Sequence, residues 1–387
     1  MESKESRLAP LQVAEVAAHP GSWGGVLEPG GNRYAGRMTP LNLLDSVAPS
    51  GGSGRALIWR ELRWVERQPV LEIEPLTAAA GERHPSGERI RIPLTPGAFL
   101  GLRLLADTAG EHLRYCAGYF ASGPPGENTN TPNTGAGYTP HRVPCPEEAR
   151  IRSGKQCERC AARDEFTALH TAHLHPGTLT PGMRAYAATP HRLYIATFPD
   201  GTSKVGTSSQ ASTPRRLDEQ APAAATYIAQ APDGLSVREA EDAVTRIGGV
   251  PQVKQTSSKY RAWLNPLPNS TIRSAHQETM KTAREALTHA QLRVPLTPLH
   301  EPWEPSPAMA RPYAALRAGS PEPLGQFPSV LSTGAAGFYC TGAAGKFMTA
   351  HTGDPAAALL VNTAEIDNLA ITVNHDISTV NIQTALF

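Results

Sequence analysis

The stretch His191-Arg192-Leu193-Tyr194-Ile195-Ala196-Thr197-Phe198, then Pro199-Asp200-Gly201, then Thr202-Ser203-Lys204-Val205-Gly206-Thr207 decides how the middle of this chain is read. The first run alternates as a strand does, Pro199-Asp200-Gly201 signals a turn, and the second run returns as the hairpin partner. Thr213 reads as an N-cap with Pro214 at the first helical position, so Arg215-Arg216-Leu217 belongs to a short helix. Ala225-Thr226-Tyr227-Ile228-Ala229 is a third strand. Ser236-Val237-Arg238-Glu239 has the form of a capping box, in which Ser236 and Glu239 satisfy backbone donors reciprocally. In the helix it opens, at ~100° per residue, Glu241 falls on the stripe of Val237, Ala240 and Val244. A carboxylate there is costly unless a cation or a metal neutralises it. Arg215 and Arg216 are candidate ion-pair partners.

Upstream, four of the five cysteines crowd into 45 residues: Cys116, Cys145, Cys157 and Cys160, with Cys340 alone. Too few for a disulfide scaffold, they suggest metal in a reducing compartment. Cys157-Glu158-Arg159-Cys160 is a knuckle whose two thiolates can share one tetrahedral ion, and Cys116 and Cys145 can close a four-thiolate site for a structural Zn²⁺. A loop-rich segment with little core of its own would draw much of its folding energy from that ion. A redox role would call for a thioredoxin-like strand–helix junction, which nothing here predicts. His170, His173 and His175 follow; they could replace Cys116 and Cys145, form a second site, or be solvated loop residues. Cys340 is expected to be a buried strand residue.

The remainder of the chain is β-rich at both ends. Arg55–Trp59, Pro69–Ile73 and Arg89–Pro93 read as short strands near the start. Gly337–Cys340, Lys346–Thr349 and Leu369–Val373 do so near the end. Ser122–Asn130 reads as a surface loop. Nine prolines between 291 and 328 mark an extended linker or a wrapping arm. The organisation expected is therefore a β-rich module over 1–112, a zinc-binding segment over 113–182, a regular domain over 183–290, the proline-rich arm over 291–328, and a β segment over 329–387. The terminal strands are expected to pair with the N-terminal module, because short strands need partners. At 387 residues, with 34 glycines, 36 prolines and 18% charged residues, the chain is globular with long loops. Its net charge of +1 excludes an overall basic field, so any nucleic-acid surface must be local. No apolar run is long enough to span a bilayer and the charged start lacks an apolar leader; a cytoplasmic protein without a membrane partner is expected.

Hairpin, helix with arginine, strand, then helix with carboxylate is the order of the GIY-YIG nuclease module, which this region resembles. Leu193-Tyr194-Ile195 stands at the GIY element and Lys204-Val205-Gly206 at YIG. The resemblance implies that Tyr194 and Lys204 position or activate water, Arg216 stabilises the pentavalent phosphorus, and Glu241 holds Mg²⁺ or Mn²⁺. Two departures matter: Lys204 stands where the family has its second tyrosine, and Leu193 precedes Tyr194 where the family has glycine. A lysine serves as base only if desolvation and neighbouring cations lower its pKa. The zinc segment followed by Tyr194-Ile195-Ala196, Lys204-Val205-Gly206-Thr207, Pro214-Arg215-Arg216 and Tyr260-Arg261-Ala262-Trp263-Leu264 also resembles the uncharacterised bacterial family catalogued as domain of unknown function 2797, over about residues 113–265.

The fold expected is thus α+β: a small three-stranded GIY-YIG-like sheet with helices, preceded by a zinc-binding loop segment and flanked by β-rich ends. Three functions follow. One is a metal-dependent phosphodiesterase acting on DNA or RNA. Another is a non-catalytic nucleic-acid-binding protein, in which Arg150, Arg152, Lys155, Arg159 and Arg163 would join Lys204, Arg215 and Arg216 on phosphates. The third is an enzyme on a small anionic substrate with Lys204 as base or nucleophile. Oligomeric state is not legible, and the five tryptophans read equally as core or stacking residues.

Overall fold

Alternating apolar residues between Leu57 and Leu104 build five strands: β1 (Leu57–Val65), β2 (Gln68–Ala79), β3 (Glu82–Pro85), β4 (Ile90–Pro93) and β5 (Phe99–Leu104). This computed structural model describes residues 41–47, 56–79, 82–122, 141–318 and 324–380; Trp23 and residues 123–130 of the expected surface loop lie outside them. Glu66 and Arg67, both at positive φ, turn β1 into β2. After β5 the chain forms a ribbon, β6 (Tyr119–Ala121) with β7 (His141–Val143), and three short helices, α1 (Glu158–Arg163), α2 (Glu165–Leu169) and α3 (Pro181–Ala187).

The hairpin is present as read: β8 (His191–Thr197) pairs antiparallel with β9 (Ser203–Ser209), Tyr194 opposite Gly206 and Ala196 opposite Lys204. Gly201, at φ +76°, makes the turn and donates to the Phe198 carbonyl at 2.9 Å. Helix α4 (Arg215–Gln220) follows, then β10 (Ala224–Ala231) and α5 (Gly234–Gly248). Both expected caps differ in detail. Pro214 itself occupies the N-cap of α4, and Thr213 instead donates its hydroxyl to the Ser209 carbonyl. Asp233 caps α5, accepting the Ser236 amide at 2.7 Å, so the helix starts before Ser236 and the Ser236 hydroxyl, instead of accepting from the Glu239 amide, donates to Asp233. Helices α6 (Thr256–Leu264) and α7 (Asn269–His289) complete the region.

The proline-rich arm is more structured than a linker. It contributes β11 (Thr297–Pro302), which pairs with β10 and makes the small sheet four-stranded, in the order β11-β10-β8-β9, rather than three-stranded. Pro298 and Pro302 are tolerated because an edge strand needs donors on one side alone. Helix α8 (Ala310–Arg317) then packs on the large sheet.

The last strands, β12 (Gly325–Gln326), β13 (Ala335–Ala344), β14 (Phe347–His351), β15 (Leu359–Asn362) and β16 (Leu369–Val373), with α9 (Val330–Thr333) between β12 and β13, return to the first ones. They interleave with them: the order is β12-β15-β14-β13-β5-β16-β1-β2-β3, with β4 also on β2. Thus Leu57 lies opposite Ile371 and Gly337 opposite Gly101. All of these pairings are antiparallel except β12 with β15. The described residues, all between 41 and 380, form one compact unit.

One apolar core joins the two sheets. Trp59 and Trp64 of the large sheet share it with Tyr194, Phe198, Trp263, Trp303 and Tyr313. The four described tryptophans are therefore core residues, and Cys340 is fully buried on β13 as expected. The opposite face of the small sheet, Leu193, Ile195 and Val205, packs against Val237, Ala240 and Val244 of α5. An ion pair with one buried member ties the sheets: Arg67, half-buried, grips the buried Asp218 of α4 with two bonds of 2.9 Å, and Trp303 Nε1 donates to the same carboxylate at 3.2 Å. Among the described residues no helix is long and apolar enough to cross a membrane.

Candidate functional site

The sulfur atoms of Cys116, Cys145, Cys157 and Cys160 all lie within 4.8 Å of one another. Three separate pieces of chain deliver them: the strand-like stretch after β5, the loop after β7, and the start of α1. Backbone amides support the set, with Cys157 N and Gly118 N donating to Cys116 Sγ at 3.2 and 3.4 Å. Gly118, at φ +77°, is needed there, because a Cβ would meet the Val143 carbonyl oxygen at 2.0 Å. Soft sulfur ligands at this spacing suit Zn²⁺ and could hold it tetrahedrally. Among the described residues this is the one such cluster of Cys, His, Asp and Glu. The three histidines stand apart from it: His173 Nε2 bonds Asp242 at 2.6 Å, His170 lines the cleft described next, and His175 is exposed.

The cleft, of about 710 Å³, opens where the large sheet, the cysteine segment and the small sheet meet. The small-sheet side supplies Arg215 and Arg216 from α4 and Lys259 from α6. The large sheet supplies Arg63 and Lys346, and the cysteine segment Arg142, Lys155 and His170. The two carboxylates in the lining are Glu61 and Glu219. Cations thus outnumber anions steeply in a space that a chain of net charge +1 did not advertise. One wall is aromatic: Phe120, Phe166 and Tyr186 follow one another edge to face with centroids 5.1 and 5.8 Å apart, and the Arg142 guanidinium sits 4.3 Å above Phe120. Burial lowers the Arg142 pKa to about 10, with Arg89 adding to the effect, so it keeps its charge at neutral pH.

Tyr194 is buried under the cleft, its ring lying so close on Gly206 that a Cβ there would come 2.5 Å from the phenol oxygen. Burial works against the charge of Arg216, but Tyr194 and Glu219 outweigh it and raise its pKa. Its side chain is 43% exposed to the cleft. Lys204 Nζ lies 5.9 Å from the Tyr194 ring and donates to the Gln252 carbonyl at 3.1 Å. Tyr194, Lys204 and Arg216 therefore neighbour one another on one face of the small sheet. Glu241 belongs to α5 on the other face. Its partner is Arg238, one turn along the same helix at 2.6 Å, and neither Arg215 nor Arg216. Burial raises its pKa despite Arg238 and the charge of Lys204.

Of the basic run read as one phosphate grip, Lys155 alone lines the cleft. Arg159 is engaged by Glu147, while Arg150 and Arg163 lie over Tyr115 and Tyr119. Sequence reasoning missed Arg63, Arg142, Lys259 and Lys346, each of which sits in an ordinary-looking stretch and acquires its meaning from tertiary placement. No family model matches the chain, and neither a curated protein nor a solved structure does.

Proposed function

We propose that this protein binds single-stranded nucleic acid, DNA or RNA, in the cleft between its two sheets, as a zinc-containing binding protein. The observation that carries the reading is the pairing of an arginine- and lysine-rich lining with the Phe120–Phe166–Tyr186 wall. Cations neutralise backbone phosphates, and aromatic faces accept bases of any sequence. The cysteine centre contributes indirectly: an ion there would fix the segment that carries Phe120, Arg142 and Lys155. The small sheet supports the GIY-YIG likeness in its hairpin, its helix with Arg216 and its later helix with Glu241. Kinship with the domain of unknown function 2797 remains part of the same proposal.

A phosphodiesterase is the second reading, favoured by the adjacency of Tyr194, Lys204 and Arg216. Arg216 would offset charge on the phosphoryl oxygens. Against it, Glu241 is tied to Arg238, which competes with any Mg²⁺ or Mn²⁺ for the carboxylate.

Zinc-replete protein titrated with labelled single- and double-stranded DNA and RNA tests both. Binding that prefers single strands should weaken with salt at a log–log slope of about −2 or steeper, for three or more phosphates. An Arg215→Glu, Arg216→Glu variant should lose at least about tenfold in affinity. Salt-insensitive binding, or an unaffected variant, would refute the cleft. Cleavage in Mn²⁺ that disappears with Glu241→Ala would move the assignment to the phosphodiesterase.

A further inference from the structure

Three cations of the cleft lining, Arg142, Lys155 and Lys259, bond to no carboxylate among the described residues, and of these Lys259 is the buried one. Its Nζ donates to the Gln220 side-chain oxygen at 2.6 Å, and among the described residues no carboxylate bonds to it. The face of Phe198 lies 5.3 Å away, and the residue is 9% exposed, at the cleft's surface. The charges of four cations act on it from four different pieces of chain: Lys204 of β9, Arg216 of α4, Lys254 ahead of α6, and Lys346 in the β13–β14 turn. The nearby carboxylates are committed elsewhere. Asp200 holds Lys254 at 2.7 Å, Asp367 and Glu61 hold Lys346 at 2.6 and 3.2 Å, Glu219 takes Arg216 at 3.3 Å, and Glu241 is bonded by Arg238. A fifth cation placed among these without an anion is an arrangement that lacks its counter-ion.

We infer that Lys259 is the deep anchor for a phosphodiester group of the bound strand, and that it takes up a proton from the buffer when that group arrives. The inference rests on the nucleic-acid reading above and gives it a specific residue. Without ligand, burial and then the charges of Lys204, Arg216, Lys254 and Lys346 lower the Lys259 pKa to about 7, so much of the amine is neutral in slightly basic solution. A phosphate oxygen at Nζ reverses the balance by offsetting those four charges and accepting a charge-assisted hydrogen bond. The sign follows. Affinity is full below the free amine's pKa and falls as pH rises through it, because binding must then recruit a proton.

Calorimetric titration of the full zinc-replete chain with an oligothymidylate of about 10 nucleotides tests this, since a single strand of that size suits such clefts and its diesters have no proton to exchange near neutrality. In two buffers of different ionisation enthalpy at about pH 8, proton uptake should approach one per chain, and affinity should fall about tenfold between about pH 6 and pH 8. Lys259→Met should abolish the uptake and weaken binding. Lys259→Arg keeps its charge throughout, so its affinity should lose the pH step. Wild-type binding without proton uptake, or an Arg variant with the same pH step, overturns the anchor while leaving the nucleic-acid reading intact. Absence of oligothymidylate binding overturns the nucleic-acid reading. In that case uptake of a proton with sulfate, which also carries none to exchange, would still support Lys259 as an anion anchor, and no uptake would end it.

Discussion

Arg67→Met should expose how the two sheets are held together. Arg67 projects from the β1–β2 turn to Asp218 on α4, whose side chain is wholly buried. Removing the guanidinium leaves that carboxylate with the Trp303 indole N–H as its remaining donor among the described residues. Leaving a buried charge without its partner costs about 3–5 kcal/mol, since the surviving carboxylate stays desolvated. For a unit of this size, at about 2 cal/mol/K per residue of unfolding entropy, that is a fall of roughly 4–7 °C in Tm. Burial already raises the Asp218 pKa above its ordinary value in spite of Arg67. A carboxyl whose folded pKa is raised favours the folded state when protonated, and that advantage is lost as pH rises from the unfolded value through the folded one. Loss of Arg67 raises it further. The penalty should therefore be full at neutral pH and shrink on acidification, as Asp218 becomes a neutral acid. Asp218→Asn in the Arg67→Met background should recover most of the loss, because no charge remains to be buried. Calorimetric melts of the four proteins of this cycle, at neutral and mildly acidic pH, measure each part. A cost under about 1 kcal/mol, or one that Asp218→Asn does not relieve, would refute the claim that this pair is a desolvated link between the sheets.

Two other consequences are directly measurable. Elemental analysis should find about one zinc per chain, falling to background in a Cys157→Ala, Cys160→Ala variant, with faster amide exchange over 113–182; zinc retained by that variant would dismiss the four-thiolate centre. His276 sits between Thr197 and Thr226 hydroxyls at 2.8 and 2.9 Å, and burial lowers its pKa to about 4. The unfolded chain then binds the proton that the folded one refuses, so stability falls as pH drops from the unfolded value through the folded one. The loss is up to about 3 kcal/mol. Urea melts of His276→Gln should be flatter over that window, and parallel profiles would exclude His276 as the source.

What could be read ahead of the structure was whatever local chemistry dictates. The hairpin at 191–207 was legible because alternation and a Pro-Asp-Gly turn act within a dozen residues, and the knuckle because two thiolates at that spacing have few other uses. The fourth strand of the small sheet was hidden by its own composition: Pro298 and Pro302 argue against a strand until an edge position removes the objection. The caps failed for a smaller reason. Asp233 and Ser236 both offer the right oxygen, and the choice between them depends on the chain's direction on leaving β10. That strands from the two ends pair was expected from their need for partners, but the order in which β5 and β16 interleave with strands from the other end could not be read. Pairing registers between Leu57 and Ile371 leave no trace in either stretch beyond an apolar, β-prone composition.

The cleft was illegible for the same reason, and this bears on its function. Its lining comes from β1, the β13–β14 turn, the cysteine segment, α4 and α6, so no window of sequence contains a basic motif. Of the run that did look basic, Arg150, Arg159 and Arg163 are engaged by Tyr115, Glu147 and Tyr119, and Lys155 alone reaches the cleft. A basic surface assembled this way depends on every one of its supports. If the cysteine centre releases its ion, Phe120, Arg142 and Lys155 lose their anchor, while Arg216 and Lys259 remain fixed by α4 and α6. Nucleic-acid affinity should then fall with chelation before the small sheet unfolds. On the proposed nucleic-acid reading, the cysteine cluster and the cleft would be one device: an ion held by the four cysteines would set one wall of a site whose opposite wall, with Arg216 and Lys259, the small sheet holds on its own.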